Sequence, residues 1–304
     1  MIQKSFFNEQ KKINLKYFKD TNLICFRIDN KVLSEINKCI VDLFNYNQSK
    51  KFKSINEVQK FLNKTKFYTL KRNLNLMTKL EKIIYNYFKK KKFFNKKVKG
   101  IQFPIDLRIA HPKKPKKLKK KYMTSSIHCD TWTEEPLDIV NVIIYLVVKK
   151  NTPKISILKT NNTEINKYMN YAKTYKNKFF LYSKKYFSIL KDLENKSSYN
   201  INHRNGEAII FNSFLPHKTI REGNEVRLSL EFRLKTENPY KNTESWKKTN
   251  NYGRYMFLPN GVDEDFFQRM KSELKKIKKL KNFKKFDKLR KKEITDNLIF
   301  KHCL

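Results

Sequence analysis

The sequence predicts a mainly β core carrying α additions, with helices flanking it at both ends. Three observations lead there. Between Ile101 and Leu234, short runs of strand-forming residues are separated by loops, with no regular intervening helices, which points to an all-β barrel or jelly roll rather than a parallel α/β sheet. Over the first hundred residues, apolar side chains recur at helical spacing. Beyond about residue 263, apolar residues alternate with many Lys, as on a surface helix. The chain of 304 residues is long enough to bury a real core. It divides into residues 1–100 (a strand and helices packing on the core), 101–238 (the β core, with an insertion at about 160–203) and 239–304 (a helical extension). These parts are expected to form one compact unit.

Element by element, Asn22–Ile28 is an apolar run of strand formers. Asp29 or Asn30 can cap a following helix on which Val32, Leu33, Ile36, Ile40, Val41 and Leu43 share a face. Two more helices are expected at about 54–64 and 71–91, the second with Leu74, Met77, Leu80, Ile83, Ile84 and Tyr87 on one side. A basic connector, Lys89–Lys97, leads to the strands. These are expected at Ile101–Ala110, Ser125–Asp130, Ile139–Val148, Lys154–Leu158, Glu207–Phe211 and Val226–Leu234. The insertion is polar and partly helical.

Composition narrows the classes. Apolar residues at 39% and aromatics at 14% are too rich for a disordered chain. No stretch approaches the roughly 18 apolar residues of a membrane helix. The first residues hold no apolar run leading to a small-residue cleavage site, so no signal peptide is expected. Cys25, Cys39, Cys129 and Cys303 are scattered, as reduced thiols of a cytoplasmic protein would be. The net charge of +41 admits two readings. A polyanion-binding surface is one. The other is an AT-rich coding bias, because Lys accompanies abundant Asn, Ile, Phe and Tyr, runs the whole length of the chain, and only ten of the 69 basic residues are Arg. The loop 111–121, with seven Lys, reads either as a solvated basic loop or as a holder for a phosphate group of a substrate.

The chemistry concentrates in few residues, for the chain has only five His. His128-Cys129-Asp130 lies in an expected strand, where a spacing of two puts both outer side chains on one face. His217 follows the strand ending at Phe211 after Asn212-Ser-Phe-Leu-Pro216. Two imidazoles and one carboxylate on one face of a metal form the facial triad of non-haem iron(II) oxygenases, with positions left open for oxygen and a bidentate co-substrate. Arg227 stands ten residues further on. Alternation places it on one face with Ser229, opposite Leu228, Leu230 and Phe232. A buried guanidinium needs a charged partner. The distal carboxylate of 2-oxoglutarate would supply it, with Ser229 as an extra donor.

His-x-Asp, a distant His and Arg-x-Ser ten residues beyond it resemble the iron(II)/2-oxoglutarate-dependent dioxygenase superfamily. The resemblance extends to Gly206-Glu207 and to Phe211-Asn-Ser-Phe-Leu-Pro-His217, and covers roughly residues 101–235. Within the superfamily, Ile127-His-Cys-Asp-Thr-Trp132 and Phe211–Arg233 look most like phytanoyl-CoA-hydroxylase-like members. Nearest are the oxygenases of carbohydrate and aminoglycoside gene clusters, of the streptomycin-biosynthesis type. The resemblance implies a double-stranded β-helix (jelly roll, cupin-like) and the use of iron(II), 2-oxoglutarate and O2, with release of succinate and CO2. It also implies oxidation of a small polar substrate such as a sugar, nucleotide sugar or surface-carbohydrate precursor. The carboxylate of Asp130 implies hydroxylation or a further oxidation rather than halogenation, since related halogenases carry a small residue there.

Other residues carry paired readings. Asn141 and Tyr145 alternate on one strand face and could contact 2-oxoglutarate or substrate, Tyr145 otherwise packing in the core with its hydroxyl satisfied. Thr219 could donate to the co-substrate or be an ordinary strand residue. Thr131 and Trp132 could line the substrate pocket, Trp132 otherwise serving as a buried strut. Cys129 should face away from the metal as a small core residue. His111, His203 and His302 read as solvated. Two other functions stay open: an oxidative dealkylase of the AlkB type acting on nucleic acid, which Arg227 and Arg233 resemble in their spacing, and a binding protein that keeps the fold without turnover. The former lacks the expected Asn-x-Tyr ahead of His128. The sequence leaves the oligomeric state open.

Overall fold

Local sequence explains the helices of the computed structural model, which describes residues 4–6, 23–65, 73–91, 98–103, 105–112, 127–130, 139–160, 164, 184–201, 203–236 and 256–259. Helix α1 spans Asn30–Asn47 and buries Ile36, Cys39, Ile40, Val41, Leu43 and Phe44. Asp29 sits at its N-cap without a side-chain cap hydrogen bond, and its carboxylate instead pairs with Lys91 at 2.9 Å. Helix α2 (Ile55–Asn63) is capped by Ser54, which accepts from the Glu57 N–H, while Glu57 reaches back to the Lys53 N–H. Helix α3 (Leu74–Lys90) starts at Asn73, whose side chain accepts from the N–H groups of Asn75 and Leu76. Helix α4 (Lys184–Glu194) lies in the expected insertion.

The strands are β1 (Lys4–Phe6), β2 (Leu23–Arg27), β3 (Val98–Phe103), β4 (Asp106–Ala110), β5 (Ile139–Val147), β6 (Lys154–Leu158), β7 (Ser198–Ile201), β8 (Glu207–Asn212), β9 (His217–Ile220), β10 (Arg227–Thr236) and β11 (Met256–Pro259). They form two sheets. The larger runs β1-β2-β8-β5-β10-β3-β11, with β4 also paired to β10, and the smaller runs β7-β6-β9. Every pairing is antiparallel except β1 with β2. The chain passes from the large sheet (β5) to the small one (β6, β7), back to the large (β8), across again (β9) and back once more (β10).

Alternation along the strands divides the apolar residues between two cores. Ile143 and Tyr145 of β5, Ile155 and Ile157 of β6, and Ile209 and Phe211 of β8 meet in a cluster that draws on both sheets. The opposite face of the large sheet (Val140, Val142, Ile144, Leu228, Leu230, Phe232) packs against the helices. Covered on both sides, β5 is buried at every position and therefore reads as a continuous apolar run. Phe88 ties α3 to this face, edge-on to Phe26 at 6.3 Å and to Phe232 at 5.4 Å.

Three expectations change. The strand expected over 101–110 is two strands, β3 ending at Phe103 and β4 beginning at Asp106, and the sequence between them holds a proline, which has no N–H to give a ladder. The freed Ile105 N–H donates instead to the buried Glu81 carboxylate at 3.2 Å. The strand expected at 125–130 reduces, over its described residues, to a single bridged position at His128. The insertion, beyond its helix, contributes β7 to the small sheet. Thr131, Trp132, most of the Lys-rich loop, the helix expected at about 263–294, His302 and Cys303 lie outside the described residues.

Candidate metal centre

His128 and His217, 89 positions apart in sequence, stand directly opposite each other. Each donates its backbone N–H to the other's carbonyl, at 2.9 and 2.8 Å. Residues paired in this way send their side chains to the same face, and the two rings lie 4.4 Å apart between centroids. His217 is also opposite Ile157 of β6, so the small sheet fixes its strand from both sides. Asp130 reaches the same place differently from the strand-period expectation. It belongs to a tight helical turn after the bridge, and the turn brings its Oδ1 to 3.5 Å from His128 Nε2 and 3.6 Å from His217 Nε2. One ligand atom from each of the three residues lies within 4.8 Å of the others. Cys129, between two of them, turns away and is fully buried, its thiol donating to the Phe214 carbonyl. Burial, and then Asp130, push that thiol well above its ordinary pKa.

The orientation of each donor has a cause. His217 Nδ1 lies 2.9 Å from the Leu215 carbonyl, which can only accept, so Nδ1 carries the proton and the Nε2 lone pair faces Asp130. Phe211 stands edge-on to the His217 ring at 5.0 Å. Asn141 Nδ2 donates to Asp130 Oδ2 at 2.6 Å, leaving Oδ1 toward the two imidazoles. Asn141 therefore touches one of the three candidate ligands, a role outside the expected contact with co-substrate or substrate. Burial is the largest influence on Asp130 and would raise its pKa, but His217, the hydrogen bond from His128 and the charge of Arg233 together outweigh it and hold the carboxyl well below its usual range. Burial first, and His128 second, draw His217 down from 6.5 to about 4. At neutral pH the centre thus offers a carboxylate and a neutral His217 imidazole, the protonation states that a divalent cation needs.

On β10 the alternation holds. Arg227, Ser229, Glu231 and Arg233 share the inner face, and Leu228, Leu230, Phe232 and Leu234 the helix-facing one. Arg227 is fully buried. Its guanidinium lies over the Tyr145 ring at 5.6 Å from the centroid and makes a long contact of 3.4 Å to the Pro153 carbonyl. Its Nε and Nη2 have no hydrogen-bond partner, and neither does the buried Tyr145 hydroxyl. Burial pushes the Tyr145 hydroxyl up, so it remains a donor. Ser229 is buried opposite Tyr145. Thr219, two residues beyond His217, is buried on the same side of β9. A β-bulge between Leu228 and Ser229 marks the point where β5 shifts register, and so sets which side chains meet in this region.

The sequence reading missed several neighbours. Glu231 pairs with Arg108 at 2.9 Å and approaches Arg227 Nη2 at 3.6 Å, so the guanidinium has a counter-charge within the chain itself. Continuing the Arg227–Ser229 alternation by one step would have found it. Gln102 of β3 accepts from Arg233 at 3.2 Å. His203, expected to be solvated, is half-buried and stacks on Tyr145 at 3.6 Å between centroids. His111 is likewise half-buried, with its carbonyl accepting from Arg221, and burial lowers its imidazole pKa.

No protein-family model matches the chain, and no curated protein matches it. Among solved structures it is similar to the Kdo hydroxylase KdoO, a non-heme Fe(II) alphaketoglutarate dependent dioxygenase in complex with alphaketoglutarate and Fe(III). The identity is 13%, the TM-score 0.42, and the match covers 78% of this chain and 92% of the other. It is also similar to an N-substituted L-amino acid dioxygenase from Burkholderia ambifaria AMMD in complex with alpha-KG (10% identity, TM-score 0.36, 73% and 86% covered). A third is SnoK, a non-heme alpha ketoglutarate dependent carbocyclase from nogalamycin biosynthesis (8% identity, TM-score 0.38, 75% and 84% covered).

Proposed function

We propose that this chain is an iron(II)- and 2-oxoglutarate-dependent dioxygenase. Its core would be a double-stranded β-helix, and its substrate a small polar molecule such as a sugar, nucleotide sugar or surface-carbohydrate precursor. One observation carries the reading: a two-His, one-carboxylate cluster touches the core between the two sheets through Phe211, and a fully buried arginine with two N–H-bearing atoms unsatisfied touches the same core through Tyr145. The repeated passage of the chain between its two sheets supports the β-helix. The resemblance of the motifs around His128 and from Phe211 to Arg233 supports the substrate class.

The residues fit both groups. Two imidazole nitrogens and one carboxylate suit a non-haem iron(II) site that keeps open positions. A buried guanidinium with orphaned donors, beside an unsatisfied tyrosine hydroxyl, suits an acceptor such as a carboxylate. Charge agrees. Arg108, Arg227 and Arg233 against Glu231 and Asp130 give +3 − 2 = +1 for these five groups; a divalent cation makes +3, and a dianionic co-substrate returns it to +1.

His128, Asp130 and His217 would hold the metal, with the Leu215 carbonyl and Asn141 aiming two of these ligands. Arg227, with Ser229 and Tyr145, would hold the distal carboxylate and so fix the reach of the co-substrate toward the metal. Ile143, Phe211 and Tyr145 keep the inner core apolar and exclude water. When bound, iron(II) and 2-oxoglutarate supply a two-electron oxidation of a substrate C–H bond by O2, the co-substrate leaving as succinate and CO2.

The test is anaerobic titration of the apoprotein with iron(II) and 2-oxoglutarate, followed by the visible charge-transfer band of their complex in wild type and His217→Ala. A band in wild type that is lost in the variant is expected. Its absence from wild type would remove the reading. Succinate release on aerobic turnover then sorts substrates, and a response to alkylated oligonucleotide in place of carbohydrate would move the substrate assignment to nucleic acid.

A further inference from the structure

Glu231 is an acid in a place where the co-substrate reading calls for none. It follows Arg227 by four residues and Ser229 by two, so all three side chains share the inner face of β10. Its Oε1 lies 3.6 Å from Arg227 Nη2 and accepts from Ser229 Oγ at 3.3 Å. Its Oε2 pairs with Arg108 Nη1 at 2.9 Å. One largely buried carboxylate, 12% exposed, thus touches the two groups that a co-substrate carboxylate would use, and it does so from within the chain.

Its hold on the two arginines is unequal. The contact with Arg108 has hydrogen-bond length, whereas 3.6 Å to Arg227 does not, and Arg227 Nη2 stays without a hydrogen-bond partner. Glu231 therefore offsets the charge of Arg227 without using up its donors. A buried guanidinium with no counter-charge is costly, so such a group helps the empty site to form. The same group opposes any second carboxylate, since two like charges on one guanidinium repel at close range.

We propose that Glu231 is a specificity-determining residue for the co-substrate: an internal competitor that neutralises Arg227 in the empty site and withdraws onto Arg108 when a ligand carboxylate arrives. The proposal rests on the dioxygenase reading above for the nature of that ligand. Its consequence is selection. A free carboxylate must displace Glu231 by its own affinity alone. A dicarboxylate already tethered at the metal does so at high effective concentration. Glu231 thus favours ligands that chelate the metal and reach Arg227 together, and disfavours anions that could do only the second. Arg108 sets the strength of the competitor by drawing it aside.

The experiment measures 2-oxoglutarate binding to the Mn(II)-loaded full chain by isothermal titration calorimetry, for wild type, Glu231→Gln and Arg108→Gln. Glu231→Gln keeps the shape and removes the charge, so its Kd should fall at least tenfold. Arg108→Gln leaves Glu231 to Arg227 alone, so its Kd should rise several-fold. Equal or weaker binding by Glu231→Gln overturns the proposal and leaves the dioxygenase reading standing. No binding by any of the three proteins overturns that reading and the proposal with it. Circular dichroism establishes whether each variant is folded. Should Glu231→Gln fail to fold, Arg108→Gln decides, with weaker binding supporting the competitor and equal or tighter binding overturning it.

Discussion

Asn141→Ala removes the donor that holds Asp130 Oδ2 at 2.6 Å, and its effect can be worked from the geometry. The acceptor is a carboxylate held ionised well below its usual range, so the bond is charge-assisted. Such bonds contribute about 1.5–3 kcal/mol net. Asn141 is only 6% exposed, at the heart of a strand buried along its whole length, so bulk water cannot take its place. A single water entering the vacated space would bring the loss toward the lower figure. Released at Oδ2, the carboxylate can turn, and Oδ1 loses its placement between the two imidazoles. Removing a group that orients a metal ligand typically costs about 10- to 100-fold in metal affinity. That is about 1.4–2.7 kcal/mol, the same range as the bond itself. The assay is competition for Zn(II) or Co(II) against a chromophoric chelator, with His217→Ala as the reference for a lost ligand. Binding by Asn141→Ala within twofold of wild type would refute the orienting role. A loss as large as that of His217→Ala, with the fold intact, would mean that Asn141 does more than aim Asp130.

Acid should destabilise the apoprotein through His217. Its folded pKa is drawn from 6.5 to about 4, so the unfolded chain binds the extra proton between those values, and stability is intact above about pH 6.5 and lost as pH falls toward 4. Thermal midpoints between pH 7.5 and 4.5 should show this slope in wild type and less of it in His217→Ala; equal slopes would exclude His217 as the source. Gly223→Ala should cost about 3 kcal/mol or more, because at φ +90° its Cβ would come 2.0 Å from the backbone oxygen of Asn151. Gly206→Ala, whose Cβ would meet only the flexible Leu33 Cδ2 at 2.6 Å, should cost less, and chemical denaturation that ranked the two in the other order would count against this account. Gln59→Ala should cost about 1–3 kcal/mol, since Gln59 Nε2 donates to the carbonyl of Val226 at 2.6 Å and the carbonyl is left buried without it. Asn63 meanwhile holds the Val226 N–H at 2.7 Å, so α2 grips the residue just before Arg227, and unchanged stability in Gln59→Ala would show that grip to be idle.

What the sequence determined by itself is what depends on short-range period. The 3.6-residue spacing of Ile36, Ile40, Leu43 and Phe44 gives α1 its buried face. The two-residue alternation of β10 puts Arg227 and Ser229 on one face and Leu228, Leu230 and Phe232 on the other. Residue chemistry did the rest at this level, for two His and a carboxylate are a rare donor set in a chain with five His. Tertiary structure alone decided which distant groups meet. That His128 and His217 form a two-bond backbone pair, that Asp130 joins them from a turn rather than a strand, and that His203 stacks on Tyr145 all depend on contacts between separate segments. The same holds for Arg108, which the β4–β10 register sets opposite Ser229 and within reach of Glu231. Spacing along the chain fixes the face on which a side chain lies, because backbone geometry repeats locally. The partner across the interior is chosen by pairing register and by the cost of burying charge, and both are properties of the assembled sheets.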